Sequence, residues 1–321
     1  MTSIETRPHI PVLLEEVVRM LRPEQGGFFV DATLGAGGHA EGLLARGPSI
    51  RLLGVDKDSR ALSLARRRLA PFSDRVTFAQ ANFGDLDSVL EGFPAPDGIL
   101  ADLGVSSMQL DEAARGFSFR HDGPLDMRMD QSGRRAADIV ATASVDELTR
   151  IFREFGEERM AAKIARGIVA ERTRGPIATT RQLARVVAQQ KGRGEKIDPA
   201  TRVFQALRIE VNQELAALAS FLAAAVARLK GGGRLAVISY HSLEDRLVKE
   251  TFRRESGVCL CPPRLPTCVC GARMAIKLLT RHPLRPTEAE KRRNPRSRSA
   301  RLRVAEKLPE ENLARSVASV G

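Results

Sequence analysis

Residues 28–39 read Phe-Phe-Val-Asp-Ala-Thr-Leu-Gly-Ala-Gly-Gly-His, an apolar strand that runs into a glycine-rich turn. A helical pattern follows from Ala40, and the first turn of such a helix offers unpaired backbone N–H groups to a ligand. Glycine lets the turn approach that ligand closely, because it has no Cβ atom. A second apolar strand, Leu52 to Val55, ends in Asp56, where a carboxylate can accept both hydroxyls of a ribose. The stretch predicts a nucleoside-cofactor site in an α/β sheet, with a tight turn that binds nothing as the alternative.

The spacing of the glycines separates two cofactor classes. A dinucleotide site is expected to read G-x-G-x-x-G, whereas Gly35-x-Gly37-Gly38-His39-Ala40 lacks the third glycine. Asp31 and Thr33 add polar groups at the strand end, and a carboxylate there suits a cationic ligand better than a pyrophosphate. These residues favour S-adenosylmethionine over NAD.

Composition sets the class of partner. The chain has 321 residues, 43% of them hydrophobic, so it can bury one large core or two ordinary ones. Its net charge of +12 favours a polyanion, usually nucleic acid, over the alternative of a generally basic surface. The basic residues cluster in three places: Arg66-Arg67-Arg68, Arg134-Arg135 and Arg281 to Arg303. One tyrosine and no tryptophan argue against base stacking as the main recognition mode.

No stretch resembles a signal peptide or reaches the ~20 apolar residues that span a bilayer. We therefore expect a cytoplasmic protein with no membrane contact.

The order of the predicted elements gives the domain organisation. An amphipathic helix is predicted at 10–22, and strands then recur at 28–33, 51–56, 75–81 and 97–103 with helices such as 59–69 between them. A mostly helical stretch follows, with helices at 145–155, 157–172 and 180–190, and a fourth that begins at Asp198-Pro199 and runs with one break to Leu229. Strands resume at 234–240, and 275–280 with 300–306 form an antiparallel edge pair.

This alternation predicts a class I, Rossmann-like α/β sheet interrupted by an all-helical domain. The predicted domains are 1–110, an inserted helical segment 111–210, 211–307 and a disordered tail 308–321.

Asp102 ends the fourth predicted strand and is followed by Leu103-Gly104. Parallel strands bring their carboxyl ends to one sheet edge, so Asp31, Asp56, Asn82-Phe83 and Asp102 are expected to converge there. Asp102 would face the reactive end of the cofactor, and Gly104 would allow close approach of a substrate base; a turn or helix-capping aspartate is the alternative.

His241 follows the fifth strand at the same edge and is a candidate to accept a proton or to hydrogen-bond a base. The alternative is that His241 only fills a turn, while Ser242 caps the next helix with Asp245 as its partner.

Cys259-x-Cys261 and Cys268-x-Cys270 place all four cysteines in one proline-rich loop. Four thiolates can bind zinc, but this is not the usual C-x2-C spacing, and free thiols are an equal alternative. We interpret the loop as structural and assign no metal ligand. The basic run from Arg281 to Arg303 is a candidate phosphate contact, with a solvated basic loop as the alternative.

Several longer motifs resemble the RsmH (MraW) family of S-adenosylmethionine-dependent 16S rRNA (cytosine-N4) methyltransferases, in the family's order from about residue 9 to 307. They are His9-Ile10-Pro11-Val12-Leu13-Leu14, the Asp31 to His39 turn, Asp102-Leu103-Gly104-Val105-Ser106-Ser107 with Gln109-Leu110-Asp111, Arg115 to Phe119, Gly123 to Met129, Phe204 to Ile209 and His241 to Arg246.

The resemblance implies methylation of one cytidine in the decoding region (P site), within the small ribosomal subunit. It also implies the cofactor contacts Gly37, Gly38, His39, Asp56, Phe83, Asp102 and Gln109. The family does not depend on the cysteine loop. We assign Asp102 as the principal catalytic acceptor, with Ser106 and His241 as further candidates; a homodimer remains open.

Three other functions fit parts of the pattern. A non-catalytic RNA-binding assembly factor would retain no cofactor. An NAD-dependent oxidoreductase conflicts with the missing glycine and the basic charge, whereas a DNA or protein methyltransferase fits the residues on physical grounds.

Overall fold

The computed structural model describes residues 11–105, 110–130, 132–191, 198–261 and 269–309. The chain divides into two compact units, Met1–Gly104 with Leu215–Gly321 and the intervening Val105–Glu214. The predicted insertion, 111–210, falls within the second unit, which extends a few residues further at each end. Residues 310–321 of the predicted tail lie outside the described residues.

The first unit is built on a sheet, for which the described residues supply seven strands. The strands are β1 (Gly27–Asp31), β2 (Ile50–Asp56), β3 (Val76–Gln80), β4 (Gly98–Asp102), β5 (Arg234–Ser239), β6 (Ile276–Leu278) and β7 (Arg301–Lys307). Their order is β3-β2-β1-β4-β5-β7-β6. The strands from β3 to β5 pair in parallel, whereas β7 runs antiparallel to β5 and to β6. The predicted α/β sheet and its antiparallel edge pair are confirmed.

The helices of the described residues are α1 (Leu14–Leu21), α2 (Gly38–Leu44), α3 (Ser59–Arg68), α4 (Leu86–Val89), α5 (Ala136–Thr142), α6 (Val145–Glu154), α7 (Ala161–Arg172), α8 (Thr180–Lys191), α9 (Thr201–Asn212), α10 (Glu214–Arg228), α11 (Ser242–Glu255) and α12 (Glu288–Arg293). The predicted break in the long fourth helix is confirmed, because Gln213 between α9 and α10 adopts a φ of +51°.

Both faces of the sheet are buried at its centre, which explains why β1, β4 and β5 are apolar without alternation. The edge strands β3 and β6 expose Thr77 and Lys277. Successive residues of a strand point to opposite faces. Phe29 therefore packs in one core with Leu43 of α2, and Val30 packs in another with Phe221 of α10. This double burial fixes the positions at which the strands end, and it is at those ends that the polar residues lie.

The second unit has an apolar core of its own, to which α5–α9 contribute residues such as Ile139, Ile151, Ile164, Leu183 and Val203. Two helices of this unit begin with a capping box, at the positions where the sequence predicts their starts. Ser144 Oγ accepts the backbone N–H of Glu147 at 3.1 Å, and Thr179 Oγ1 accepts that of Gln182 at 3.3 Å.

Two helix starts differ from the prediction. The helix predicted from residue 157 begins at Ala161, because Glu157 adopts a φ of +47° and the carboxylate of Glu158 accepts the N–H of Met160 at 2.9 Å. Pro199 is not the first helical residue. Asp198 instead accepts the N–H of Ala200 at 2.9 Å, and α9 begins at Thr201.

Within the described residues no single helix is long and apolar enough to cross a membrane. The bent pair Thr201–Asn212 and Glu214–Arg228 passes that test only when its two helices are taken together.

Candidate active site at the carboxyl edge of the sheet

The parallel strands bring three aspartates to one edge of the sheet, as the sequence predicts. Asp31, Asp56 and Asp102 are the last residues of β1, β2 and β4. The loop after β1 is tied to β4, because Thr33 Oγ1 accepts the backbone N–H of Asp102 at 2.6 Å. Three carboxylates in one partly buried region repel each other and favour a cationic ligand.

The three glycines of the turn have different surroundings. Gly35 and Gly37 adopt φ values of +53° and +79°, which disfavour any residue with a side chain. A Cβ atom at Gly35 would meet nothing nearer than the Thr33 carbonyl oxygen at 3.9 Å, whereas one at Gly38 would lie 2.6 Å from Pro11 Cγ. The space beside Gly35 is therefore open to a Cβ atom, and we expect the cofactor to use that space, although Gly35 was not among the predicted cofactor contacts. Gly38 is needed for packing.

Substituting these glycines one at a time separates the two roles. We expect Gly35→Ala to fill the open space and to weaken cofactor binding at least about tenfold, with a stability loss of about 1–2 kcal/mol from its positive φ. Gly38→Ala is expected to lose about 1–3 kcal/mol by overpacking but to bind the cofactor with less than about a threefold change. Calorimetric titration and thermal unfolding measure both, and native affinity in Gly35→Ala would contradict the assignment.

Asp56 also shapes the turn. Its two carboxylate oxygens accept the backbone N–H groups of Gly35 and Asp58, each at 2.8 Å. Each oxygen keeps a further lone pair, so two ribose hydroxyls remain acceptable partners. Burial raises the pKa of Asp56 above its ordinary value, against the lowering effect of these hydrogen bonds. The ribose contact stays a prediction.

Phe83 follows β3 and begins a short 3-10 turn, Phe83–Asp85, in which Asn82 Oδ1 accepts the N–H of Gly84 at 3.0 Å. Its ring is half-buried and packs edge-on against Phe221, with 5.5 Å between ring centroids. This packing fixes the Phe83 ring against the core of the first unit that contains Val30 and Phe221. The predicted contact of Phe83 with adenine remains a prediction.

Asp102 is held by a hydrogen bond from Tyr240 and has His39 as a further neighbour. Tyr240 donates its hydroxyl hydrogen to Asp102 Oδ1 at 2.8 Å, and Oδ2 lies 3.7 Å from His39 Nδ1. Burial, more than any other effect, raises the pKa of Asp102 to about 7; the carboxylate of Glu244 adds to the rise, and the Tyr240 hydrogen bond opposes it. Burial together with Asp102 raises the pKa of Tyr240 well above its ordinary value, so this hydroxyl remains a donor.

Asp31 is a second acid at this edge and, unlike the half-buried Asp102, is fully buried. Burial raises its pKa to about 7, with Asp102 and Asp56 adding to the rise, while His39 and the N–H of Thr33 lower it. A carboxyl group with such a pKa is near half ionisation at neutral pH and loses its proton readily when a cation binds nearby.

His39 is buried at the start of α2 and is already engaged within the protein. Its Nε2 lies 2.9 Å from the carbonyl oxygen of Val12, so Nε2 carries the proton and Nδ1 faces Asp102. Burial lowers the pKa of His39, which keeps the ring neutral. If His39 contacts the cofactor as predicted, only its Nδ1 atom is available, because Nε2 is bonded to Val12.

His241 differs from the prediction, because His241 itself, and not Ser242, caps α11. Its Nδ1 accepts the N–H of Glu244, and Glu244 in return accepts the N–H groups of Tyr240 at 2.8 Å and of His241 at 3.3 Å. The capping partner is thus Glu244 rather than Asp245. His241 Nε2 is buried and lies 3.1 Å from Glu244 Oε1 without an aligned hydrogen bond. Because Nδ1 accepts the N–H of Glu244, Nε2 carries the ring proton and is a donor, so the neutral ring has no nitrogen left to accept a proton.

Ser106 and Gln109, the remaining predicted site residues, lie outside the described residues. Three contributors were not assigned from the sequence: Thr33, Tyr240 and Glu244. The first two flank predicted strand ends, so their position at the sheet edge was an available signal. Glu244 had only the helix-capping spacing as a signal, and that spacing was attributed to Ser242 and Asp245.

The residues at this edge fit a cationic nucleoside. Gly35 has room beside it, and Asp56 has acceptor capacity for hydroxyl groups. A positive charge bound near Asp31 and Asp102 would stabilise the ionised forms of both side chains, whose pKa values are raised.

A family model described as the MraW methylase family matches residues 6–308. The chain belongs to the MraW methylase family. This membership confirms the family predicted from the motifs, the methyltransferase fold and S-adenosylmethionine as the cofactor.

Curated relatives in the MraW methylase family are similar over nearly their whole length. "Ribosomal RNA small subunit methyltransferase H" of Carboxydothermus hydrogenoformans is 52% identical over 306 residues, which cover 94% of this chain and 98% of the relative. The protein of the same name from Thermomicrobium roseum is 54% identical over 305 residues, with 94% of each chain covered. A solved rRNA methylase from Streptococcus thermophilus is far more distant, at 11% identity and a TM-score of 0.42 over 92% of this chain and 93% of that one.

Proposed function

We propose that this protein methylates the exocyclic N4 amine of one cytidine in the decoding region (P site) of 16S rRNA, within the small ribosomal subunit. The curated relatives are named as small-subunit rRNA methyltransferases, and the chain aligns with them over nearly its full length. A net charge of +12 suits an RNA substrate. The observation that carries the proposal is Asp102 at the end of β4, which is half-buried and hydrogen-bonded by Tyr240.

S-adenosylmethionine supplies a methyl group on a positively charged sulfur, which leaves as a neutral thioether. The cytosine amine is a weak nucleophile, because its lone pair is delocalised into the ring. As its nitrogen takes the methyl group it must give up one proton, so the product is a neutral secondary amine. A carboxylate that accepts a hydrogen bond from the amine raises its nucleophilicity and then takes that proton.

Asp102 has the properties that this step requires. Its pKa of about 7 matches a proton acceptor that works near neutral pH. Tyr240 occupies Oδ1 and fixes the orientation of the carboxyl group, which makes Oδ2 the oxygen assigned to the amine. The ionised form also stabilises the positive charge next to it. The target base has to leave its stack to reach a site at a sheet edge.

The basic segment near the C-terminus divides into two parts. Arg301 and Arg303 bind Asp245 of α11 at 3.1 and 2.7 Å, so they hold β7 against the helix rather than meeting RNA. Four arginines on α12 and the turn after it are exposed: Arg292, Arg293, Arg296 and Arg298. We assign phosphate contacts to these four side chains.

The proposed substrate is tested with small subunits from a strain that lacks this activity. Purified protein and labelled S-adenosylmethionine are expected to place the label on N4 of a single cytidine, which nuclease digestion and mass spectrometry locate. Naked 16S rRNA, DNA and ribosomal proteins serve as competing substrates. Label on another base or on protein would contradict the substrate. Bound cofactor without any transfer would favour an assembly factor.

The proposed setting is the cytoplasm, where small subunits are present. A homodimer is the proposed alternative to a monomer, and sedimentation of the free protein distinguishes the two.

A further inference from the structure

The cysteine loop lies between α11 and β6 and is separate from the site at the sheet edge. Of its cysteines, Cys259, Cys261 and Cys270 are among the described residues, and their three Sγ atoms lie within 4.8 Å of one another. Cys268 lies outside the described residues. Three sulfurs from two separate stretches of chain therefore face one point.

The spacing of the sulfurs matches a metal site and not a disulfide. Zinc–sulfur bonds of about 2.3 Å at tetrahedral angles put two sulfurs about 3.8 Å apart. The Cys270 and Cys259 Sγ atoms are 3.8 Å apart. A disulfide would require about 2.05 Å between its sulfurs, and no disulfide joins the three described cysteines.

Backbone N–H groups point at two of the sulfurs. Leu260 donates to Cys270 Sγ and Val269 donates to Cys261 Sγ, both at 3.3 Å. Each donor thus comes from the opposite stretch of the loop and reaches across to the sulfur. Outer contacts of this kind orient the ligands of a metal and support their negative charge.

The described residues at the two ends of the loop expose most of their large apolar side chains. Val258, Val269 and Met274 are 40%, 75% and 50% exposed, and they are three of the four large hydrophobic residues that the described part of the chain exposes. The base of the loop is paired, since Gly257 donates to the Arg273 carbonyl at 3.0 Å and Arg273 donates to that of Arg254 at 2.9 Å. Beyond this base, the described residues of the two stretches are joined by the N–H to sulfur hydrogen bonds, and an ion bound by the three sulfurs would add a stronger cross-link.

We propose that Cys259, Cys261 and Cys270 bind a zinc ion that cross-links this loop. Thiolates are soft ligands, and a compact set of them selects Zn²⁺ over Mg²⁺ or Ca²⁺. Three thiolates leave a fourth position of the tetrahedron for a further ligand. The ion is structural: it holds the loop and takes no part in methyl transfer.

Elemental analysis of the full-length protein tests the site. Protein purified under reducing conditions, loaded with Zn²⁺ and passed through a chelating column is expected to keep about one equivalent of zinc. Single variants Cys259→Ser, Cys261→Ser and Cys270→Ser are expected to lose zinc affinity at least about tenfold. Val269→Ala, which alters the loop but no ligand, is the matched control and is expected to keep the metal.

Two further measurements distinguish zinc bound by the three cysteines from zinc bound adventitiously elsewhere on the protein. Cobalt in place of zinc is expected to show thiolate-to-metal charge transfer and tetrahedral visible bands, both lost in the serine variants. Limited proteolysis between residues 256 and 275 is expected to accelerate at least about tenfold when the metal is removed, while cofactor binding is unchanged. The proposal is overturned if the loaded protein holds no zinc, if the serine variants retain it, or if thiol titration finds the cysteines oxidised under reducing conditions.

Discussion

Replacing Asp102 by asparagine is expected to lower methyl transfer to small subunits about a thousandfold. The substitution keeps the size of the side chain and a partner for the Tyr240 hydroxyl, but it removes the group that takes a proton from the amine. It also removes a negative charge next to the cationic sulfur. Single-turnover transfer from labelled S-adenosylmethionine, at saturating cofactor, measures this loss separately from binding.

Tyr240→Phe is the matched control for this result. It leaves the Asp102 carboxyl in place and removes only the hydrogen bond to Oδ1 at 2.8 Å. Transfer is expected to fall about tenfold, since the acceptor remains but is less well oriented. An Asp102→Asn enzyme that binds cofactor and keeps turnover within a factor of three would show that another group is the acceptor.

Asp102→Asn is also expected to stabilise the cofactor-free protein, and this result would rule out misfolding as the cause of lost activity. Burial raises the pKa of Asp102 to about 7, so the folded state holds a proton that the unfolded state releases near pH 4. Stability from this group is therefore present below pH 4 and is lost as the pH rises to about 7. At pH 8, the free energy of unfolding of Asp102→Asn should exceed that of the parent protein by about 2 kcal/mol, as measured by urea denaturation.

The sequence predicted those parts of the fold that follow from local pattern. Apolar strands that end in an aspartate, such as Leu52 to Asp56, identify both the sheet and its functional edge, because burial on both faces leaves polar residues only at strand ends. The Ser144–Glu147 capping box was likewise readable, since both partners lie within one turn. Local signals of this kind do not depend on the rest of the chain.

The parts that were missed depend on contacts between distant residues. Position 38 must be glycine because a Cβ atom there would clash with Pro11. Asp102 is oriented by Tyr240, which is 138 residues away in the sequence. No spacing rule relates such pairs. The helix cap at His241 was missed for a different reason: serine is a more usual cap than histidine, but here the ring nitrogen and Glu244 supply the two hydrogen bonds.

The affinity for S-adenosylmethionine is expected to fall at least a hundredfold between pH 7.5 and pH 5. In the free protein Asp31 and Asp102 each have a pKa of about 7 because they are buried. A positively charged sulfur nearby favours their ionised forms, so binding S-adenosylmethionine lowers both pKa values and releases protons. Below about pH 7 each acid that must first lose its proton weakens binding by up to about tenfold per pH unit.

The other ionisable neighbours do not reverse this direction. Burial also raises the pKa of Asp56, so its protonation weakens binding in the same sense. Burial lowers the pKa of His39, and where its ring does gain a proton at the acid end, the added positive charge weakens cation binding in the same sense. Tyr240 stays protonated throughout, because its pKa is raised well above its ordinary value.

Comparing two ligands and one variant isolates the effect. S-adenosylhomocysteine has the same adenosine and amino-acid groups but a neutral sulfur, so its affinity should change at least about tenfold less over this range. Asp102→Asn should reduce the slope for S-adenosylmethionine by about one proton, leaving the part due to Asp31. Isothermal titration in buffers of different ionisation enthalpy reports the protons directly. If the two ligands lose affinity in parallel as the pH falls, the buried acids do not face the cationic sulfur, and the acceptor role of Asp102 loses its electrostatic basis.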